Sequence, residues 1–166
     1  GVTGGGNVAV SATAGGKIVW SPSGTGVYST TAGGTTKTAW KASSGIAAGA
    51  QVRSDRVNGS KFYGFLNGTF YVSTDGGKTF SATAATGLPT YGQFKAVPGR
   101  EGDIWLAGSG PAGVYGLWHS TNSGASFTRL ATVDQATGVG YGKAATGQTY
   151  PAMYLSGQVG GVTGVF

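Results

Sequence analysis

One turn motif recurs along this chain at nearly even spacing, and this recurrence restricts the possible folds more than any other feature. Its clearest copy runs from Ser73 to Phe80 (STDGGKTF) and follows the strand-like segment TFYV, residues 69–72. The Asp75 side chain can accept hydrogen bonds from backbone N–H groups just after it, and glycines such as Gly77 adopt positive φ without steric cost. The sequence therefore predicts a tight polar turn between two strands, with Phe80 folded back beneath it.

Two further copies of the motif define a period. The frame returns from Ser120 to Phe127 (STNSGASF), with Asn122 in the place of aspartate and Gly124 in the place of the second glycine. A looser copy begins at Ser29 (STTAGG), and its aromatic residue, Trp40, comes late after an insertion. Aligning the three serines gives offsets of 44 and 47 residues. A period in the forties with several short strands per repeat is typical of a β-propeller with one repeat per blade.

The predicted fold is therefore all-β: a partial β-propeller that occupies residues 1–166 as one domain. It contains about 3.7 four-stranded antiparallel blades, and no window has the sustained 3.6-residue apolar period of a helix. The predicted blades cover residues 7–43, 51–84, 92–132 and 138–166, of which the last is incomplete.

A partial ring would expose apolar blade faces and an unpaired edge at residues 164–166, which favours aggregation. We therefore expect the chain to be part of a longer polypeptide that completes a seven-bladed ring. The alternative is a second copy of the same chain that closes the ring.

Composition excludes several classes of function. The net charge is +6, but the basic residues are spread along the chain without the clustering that nucleic-acid binding requires. No apolar run is long enough for a membrane span. The chain has no cysteine and one histidine, His119, so a metal centre or a serine–histidine triad lacks its usual residues, and no cofactor is expected. We interpret His119 as a residue that supports the turn beginning at Ser120.

The turn motif and the segments around it resemble one family in particular. The STDGGKTF turn resembles an Asp-box, and residues 55–63, 94–107 and 116–121 resemble the C-terminal propeller of glycoside hydrolase family 74. The resemblance extends over nearly the whole chain. It implies a secreted, extracellular enzyme, a xyloglucan-specific endo-β-1,4-glucanase that acts with inversion in a cleft between two seven-bladed propellers. Whether attack is internal or at chain ends stays open.

The same resemblance implies that the chain forms one wall of the cleft and lacks the catalytic pair. Inverting hydrolysis needs two carboxyl groups about 6.5–9.5 Å apart. In the family one carboxylate comes from each propeller, and the C-terminal one precedes the blades that this chain resembles. The chain holds five acids, namely Asp55, Asp75, Glu101, Asp103 and Asp134. Only Asp134 is predicted to lie in a connection between blades, on the cleft side, so it is the one weak catalytic candidate.

Sugar binding is the local role that the sequence favours most. Pyranose rings stack on flat aromatic side chains, and polar neighbours fix their orientation. The candidates on the predicted cleft side are Trp20, Tyr91, Tyr115 and Gln135, whereas Trp40, Trp105, Trp118 and Phe80 are predicted to pack between blades. The alternative function is a non-catalytic Asp-box module that binds glycans or protein partners.

Two triplets match the acceptor pattern for N-glycosylation, at Asn58 (NGS) and Asn67 (NGT). They fit secretion from a eukaryotic cell. Asn67-Gly68 is also a strong signal for a two-residue hairpin.

Overall fold

The computed structural model describes residues 5–108 and 114–166. The described residues form four antiparallel sheets. The first sheet contains β1 (Gly6–Val10), β2 (Ile18–Pro22), β3 (Tyr28–Thr30) and β4 (Lys41–Ala42), and the second contains β5 (Gln51–Ser54), β6 (Phe62–Leu66), β7 (Thr69–Ser73) and β8 (Ser81–Ala82). The third contains β9 (Gly92–Ala96), β10 (Ile104–Gly108), β11 (Gly116–Ser120) and β12 (Thr128–Arg129). The fourth has three strands, β13 (Val133–Tyr141), β14 (Met153–Val159) and β15 (Val162–Val165).

Within each sheet the strands pair in chain order, and the first strands of successive sheets lie side by side. We call β1, β5, β9 and β13 the inner strands. The turns after the first and third strands of each sheet lie on one face of the molecule, the box face. The hairpins after the second strands and the connections between sheets lie on the opposite face, the groove face. This arrangement confirms the prediction of an all-β partial propeller.

The motif at Ser73 forms its turn through side-chain hydrogen bonds. The Ser73 hydroxyl donates to Asp75 Oδ1 (2.8 Å) and accepts from the Gly77 N–H (3.0 Å). Asp75 Oδ1 also accepts from the N–H groups of Lys78 (2.9 Å) and Thr79 (3.0 Å). Burial alone would raise the pKa of Asp75, but these hydrogen bonds lower it below its ordinary value. The acid therefore closes the turn as an ionised acceptor.

The copy at Ser120 uses the same geometry with an amide. The Ser120 hydroxyl donates to Asn122 Oδ1 (2.9 Å) and accepts from the Gly124 N–H (3.0 Å). Asn122 Oδ1 accepts from the Ser126 N–H (3.0 Å). Asparagine can replace aspartate here because its side-chain oxygen supplies the same acceptor.

The first copy is shifted by one residue from the predicted alignment. The Ala32 N–H donates to the Thr30 hydroxyl (3.1 Å), so Thr30, and not Ser29, holds the first position of the turn. The true offset to Ser73 is therefore 43 residues. Residues 35–39, which include a short 3-10 turn (Lys37–Ala39), contain the insertion, and the fourth strand of the first sheet follows it as Lys41–Ala42.

Three hydrophobic clusters fill the three seams between successive sheets. Because side chains alternate along a strand, each sheet contributes one face to each seam. The first seam includes Val19, Val52, Phe62 and Phe80; the second includes Tyr63, Phe70, Phe94, Leu106 and Trp118; the third includes Val97, Trp105, Leu117, Val139 and Leu155. The prediction that Trp105, Trp118 and Phe80 pack between blades is thus confirmed.

Asp55 links the second and third sheets on the box face. Its carboxylate is 1% exposed and accepts four hydrogen bonds. Asp55 Oδ1 accepts from the N–H groups of Val57 (2.8 Å) and Asn58 (2.7 Å), and Oδ2 accepts from the Tyr63 hydroxyl (2.6 Å) and the Gly102 N–H (2.9 Å). Burial alone would raise the pKa of Asp55, but these four donors lower it below its ordinary value. Asp55 is therefore a turn acceptor that also reaches the next sheet.

Two predicted positions need correction. The last sheet begins at Val133, so Asp134 and Gln135 lie in strand β13 and not in a connection between blades. Bulges between Val133 and Gln135 and between Ala136 and Gly138 let this glycine-containing strand extend further than its apolar pattern indicated. Trp40 does not pack between blades of this chain: it lies half-buried on the outward flank of the first sheet. No helix in the described residues is long and apolar enough to cross a membrane.

Candidate functional site

A groove of about 420 Å³ opens on the groove face beside the amino ends of the inner strands. The hairpin at Asn67 forms one side, and the connection that carries Thr90 and Tyr91 into β9 forms another. Asn7 and Gln51, near the amino ends of β1 and β5, form its floor. The groove is therefore assembled from three sheets and combines two aromatic residues, the buried Phe65 and the exposed Tyr91, with several amide and hydroxyl groups.

Tyr91 is the exposed aromatic residue of this groove. Its side chain is 55% exposed, although tyrosine in a globular domain is usually more buried. The next residue, Gly92, begins β9, and a Cβ there would lie 2.8 Å from the Ala107 carbonyl oxygen. The backbone must therefore approach β10 closely at this point, which holds the Tyr91 backbone at the rim of the sheet while its ring faces solvent.

The two amide residues of the floor are fixed by bonds to the neighbouring sheet. Asn7 Oδ1 accepts from the Val52 N–H (2.6 Å), and its Nδ2 donates to the Ala50 carbonyl (3.2 Å). Gln51 Oε1 accepts from the Phe94 N–H (2.9 Å). Because each side-chain oxygen accepts a backbone hydrogen bond, both amides are held in fixed orientations beside the groove.

The structure brings only one of the four predicted sugar-binding residues into this groove. Trp20 lies on the outward flank of the first sheet, where it packs edge-on against Trp40 (centroids 5.9 Å apart). Tyr115 is half-buried before β11, and its carbonyl accepts from Arg129; residues 109–113 of the same connection lie outside the described residues. Gln135 is exposed on β13 in the fourth sheet.

Trp20 and Trp40 line a separate surface cavity of about 370 Å³ with Tyr28 and Lys37. Trp20 pairs with Tyr28 and Val8, so these side chains share the outward face of the first sheet, opposite the face that Val19 buries in the first seam. In a propeller this outward flank is where a preceding blade packs.

None of the five acids forms a pair suited to glycoside hydrolysis. The carboxylates of Asp55 and Asp75 accept hydrogen bonds in the box-face turns. Glu101 forms an ion pair with Lys61. Asp103 Oδ1 accepts from the Tyr150 hydroxyl (3.1 Å) and lies 2.8 Å from His119 Nε2. Asp134 is the one acid on the groove face, and its carboxylate accepts from the Gly161 N–H (2.8 Å). All five acids lie within the described residues, so this chain contains no second carboxylate beside Asp134.

His119 has a role that sequence reasoning missed. Its ring stacks on Trp105, with centroids 4.0 Å apart and an angle of 10° between planes, while its Nε2 faces Asp103. The Trp105 N–H donates to the Tyr150 hydroxyl (2.8 Å), which connects this group to the fourth sheet. The cluster joins the third and fourth sheets, and no group of three metal-binding side chains occurs in the described residues.

The two glycosylation candidates occupy different environments. Asn67 is exposed at the tip of the β6–β7 hairpin with φ of 48°, which confirms the predicted two-residue turn. Asn58 is half-buried: its Oδ1 accepts from the Ser60 N–H and its Nδ2 donates to Glu101. Modification at either residue stays a prediction.

No family model matches this chain. A xyloglucanase of a Paenibacillus species is 52% identical over 169 residues, which cover all of this chain and 16% of that protein. Xyloglucanase Xgh74A of Acetivibrio thermocellus is 49% identical over 164 residues, or 98% of this chain and 18% of that protein. The chain therefore spans less than a fifth of the length of these curated relatives.

Solved structures agree with the sequence relatives. The GH74 enzyme of Niastella koreensis matches 97% of this chain with a TM-score of 0.83 and 39% identity, covering 23% of that structure. The GH74 xyloglucanase of Xanthomonas campestris matches the whole chain with a TM-score of 0.79 and 30% identity, covering 24% of that structure. The fold and the turns thus define an Asp-box propeller. More specifically, the chain belongs to glycoside hydrolase family 74 and corresponds to a segment of its xyloglucanases.

Proposed function

We propose that this chain is part of a secreted xyloglucan-hydrolysing enzyme and forms one wall of its polysaccharide cleft. The observation that carries the proposal is the 52% identity with a xyloglucanase along the whole chain. The remaining blades of a seven-bladed ring and the catalytic carboxylates belong, in this proposal, to other parts of the polypeptide. The groove beside Tyr91 is the part of the cleft that this chain supplies.

The chain by itself is expected to release no reducing sugar from xyloglucan. Inverting hydrolysis requires an acid and a base about 6.5–9.5 Å apart, and Asp134 has no partner on the groove face. The measurement is a reducing-end assay on tamarind xyloglucan with the purified 166-residue chain, beside a complete family 74 enzyme as positive control. Hydrolysis above the blank that disappears in an Asp134→Asn variant would show that the chain is catalytically complete.

Replacement of Tyr91 by alanine is expected to weaken xyloglucan binding about tenfold, or about 1.4 kcal/mol. The ring is the large exposed flat surface of the groove, and its loss removes the face on which a pyranose would stack. Affinity electrophoresis in gels with increasing xyloglucan concentration measures the change.

Tyr154→Ala serves as the matched control for this experiment. Tyr154 is 54% exposed, nearly the same as Tyr91, but it lies on β14 and outside the groove lining. It should leave the mobility shift unchanged. Equal losses in both variants would mean that the chain binds xyloglucan through scattered aromatic residues and not through this groove.

A further inference from the structure

A third cavity, of about 380 Å³, lies at the opposite ends of the inner strands. It is lined by Val10 near the end of β1, by Arg53 and Arg56 at the end of β5, by Lys95 on β9 and by Tyr141 at the end of β13. These are the carboxyl ends of the inner strands, whereas the Tyr91 groove lies at their amino ends. We call this cavity the inner basic pocket. It is separate from the proposed polysaccharide cleft.

The pocket concentrates positive charge. Arg53, Arg56 and Lys95 line it, and no aspartate or glutamate does. Each of the five acids of the chain is engaged elsewhere, in a box-face turn, an ion pair or the hairpin at Gly161. Like charges gathered in a concave surface repel one another and focus a positive potential in the space between them.

The side chains are also placed to contact a ligand. Arg53 is half-buried: its Nη1 donates to the Val52 carbonyl (2.7 Å) and its guanidinium lies 6.0 Å from the centre of the Phe94 ring. Burial lowers the pKa of Arg53, which reflects the cost of desolvating a cation that has no carboxylate partner among the described residues. Arg56 and Lys95 are exposed at the mouth. One half-buried cation and two exposed ones leave several N–H donors for a bound anion.

We propose that the inner basic pocket binds a small oxyanion with two negative charges, such as inorganic sulfate or phosphate. The planar guanidinium groups of Arg53 and Arg56 match the geometry of such oxygens, and the Lys95 ammonium adds a point charge. Arg53 and Lys95 lie on adjacent inner strands and Arg56 follows the end of β5, so a bound ion would bridge the second and third sheets.

The test titrates the full 166-residue chain with sodium sulfate and with sodium phosphate at constant ionic strength, with sodium chloride as the balancing salt. Binding is followed by NMR shifts of backbone amides and by the thermal unfolding midpoint. Saturable shifts confined to residues of β5 and β9 are expected with both dianions. If sodium chloride at the same ionic strength gave the same amide shifts and the same unfolding midpoint, the proposal would be overturned.

Two variants and a control locate the site. Arg56→Gln and Lys95→Gln are each expected to weaken sulfate binding about tenfold, because each removes a charge-assisted hydrogen bond. Both residues are exposed, so the fold should tolerate the changes. Lys41→Gln removes an exposed charge from the outermost strand β4 and should leave binding unchanged. Equal weakening by all three variants would mean that net charge alone attracts the ion, which also contradicts the pocket.

Discussion

Replacement of Asp55 by alanine is expected to lower the free energy of unfolding by about 3–5 kcal/mol. The carboxylate is buried and accepts four hydrogen bonds, two of them from groups that would stay buried without a partner, the Tyr63 hydroxyl and the Gly102 N–H. Urea unfolding monitored by tryptophan fluorescence measures the change. Because Gly102 belongs to the third sheet, the substitution removes a hydrogen bond between the second and third sheets as well as bonds within the turn.

The contribution of Asp55 to the free energy of unfolding should decrease as the pH falls. Its pKa is lowered in the folded chain, so the carboxylate stabilises the fold above the ordinary pKa of an aspartate, about 3.9. That stabilisation is lost as the pH falls through the folded-state pKa. The difference in unfolding free energy between the wild-type chain and Asp55→Ala should therefore be constant near neutral pH and shrink in acid.

Glu101→Gln is the control for Asp55. Glu101 also lies on the box face and pairs with Lys61, but its own side chain is 44% exposed, and ion pairs that are open to solvent contribute little. The urea midpoint of the Glu101→Gln variant should stay close to that of the wild-type chain at neutral pH. If both variants lost equal stability, the burial and the four donors of Asp55 would have no special importance.

The propeller could be predicted because its turn chemistry is local. The hydroxyl, acid and glycines of Ser73–Gly77 satisfy one another within five residues, so the motif is visible in the sequence wherever it recurs. The one-residue error at the first copy has the same origin. Ser29 and Thr30 both carry hydroxyls, and two bonds seen in the structure identify Thr30 as the turn residue. One is the bond from the Ala32 N–H to the Thr30 hydroxyl, and the other is the backbone bond from Gly33 to Gly16, equivalent to that from Ser123 to Gly102.

The candidate sites were harder to predict because they depend on which way a strand presents its side chains. Tyr91 could be identified from its place in a connection, but Trp20 precedes a loop and still faces a flank, since alternation along β2 decides its direction. Arg53 and Lys95 are 42 residues apart, close to the repeat length, and each lies two residues after a glutamine. Aligning Gln51 with Gln93 would have revealed that these cations occupy equivalent inner positions.

Replacement of Phe70 by alanine is expected to cost about 3–5 kcal/mol of unfolding free energy, as removal of a fully buried aromatic side chain usually does. Phe70 is the centre of the second seam, with ring centroids of Phe94 at 5.1 Å and Phe127 at 5.0 Å. Urea unfolding measures the loss. Phe70→Leu keeps most of the apolar volume and should lose clearly less.

The contact between the Phe70 ring and the turn glycine Gly124 can be tested separately. Gly124 has φ of 80°, and a Cβ there would overlap the Phe70 ring, so Gly124→Ala should suffer both backbone strain and a clash. In a Phe70→Ala background the clash is gone and only the strain remains. The double variant should therefore be more stable than the sum of the two single losses predicts, by about 1 kcal/mol or more. Strict additivity would mean that the Asp-box glycine is required for its backbone conformation alone, and not for admitting the aromatic ring of the preceding blade.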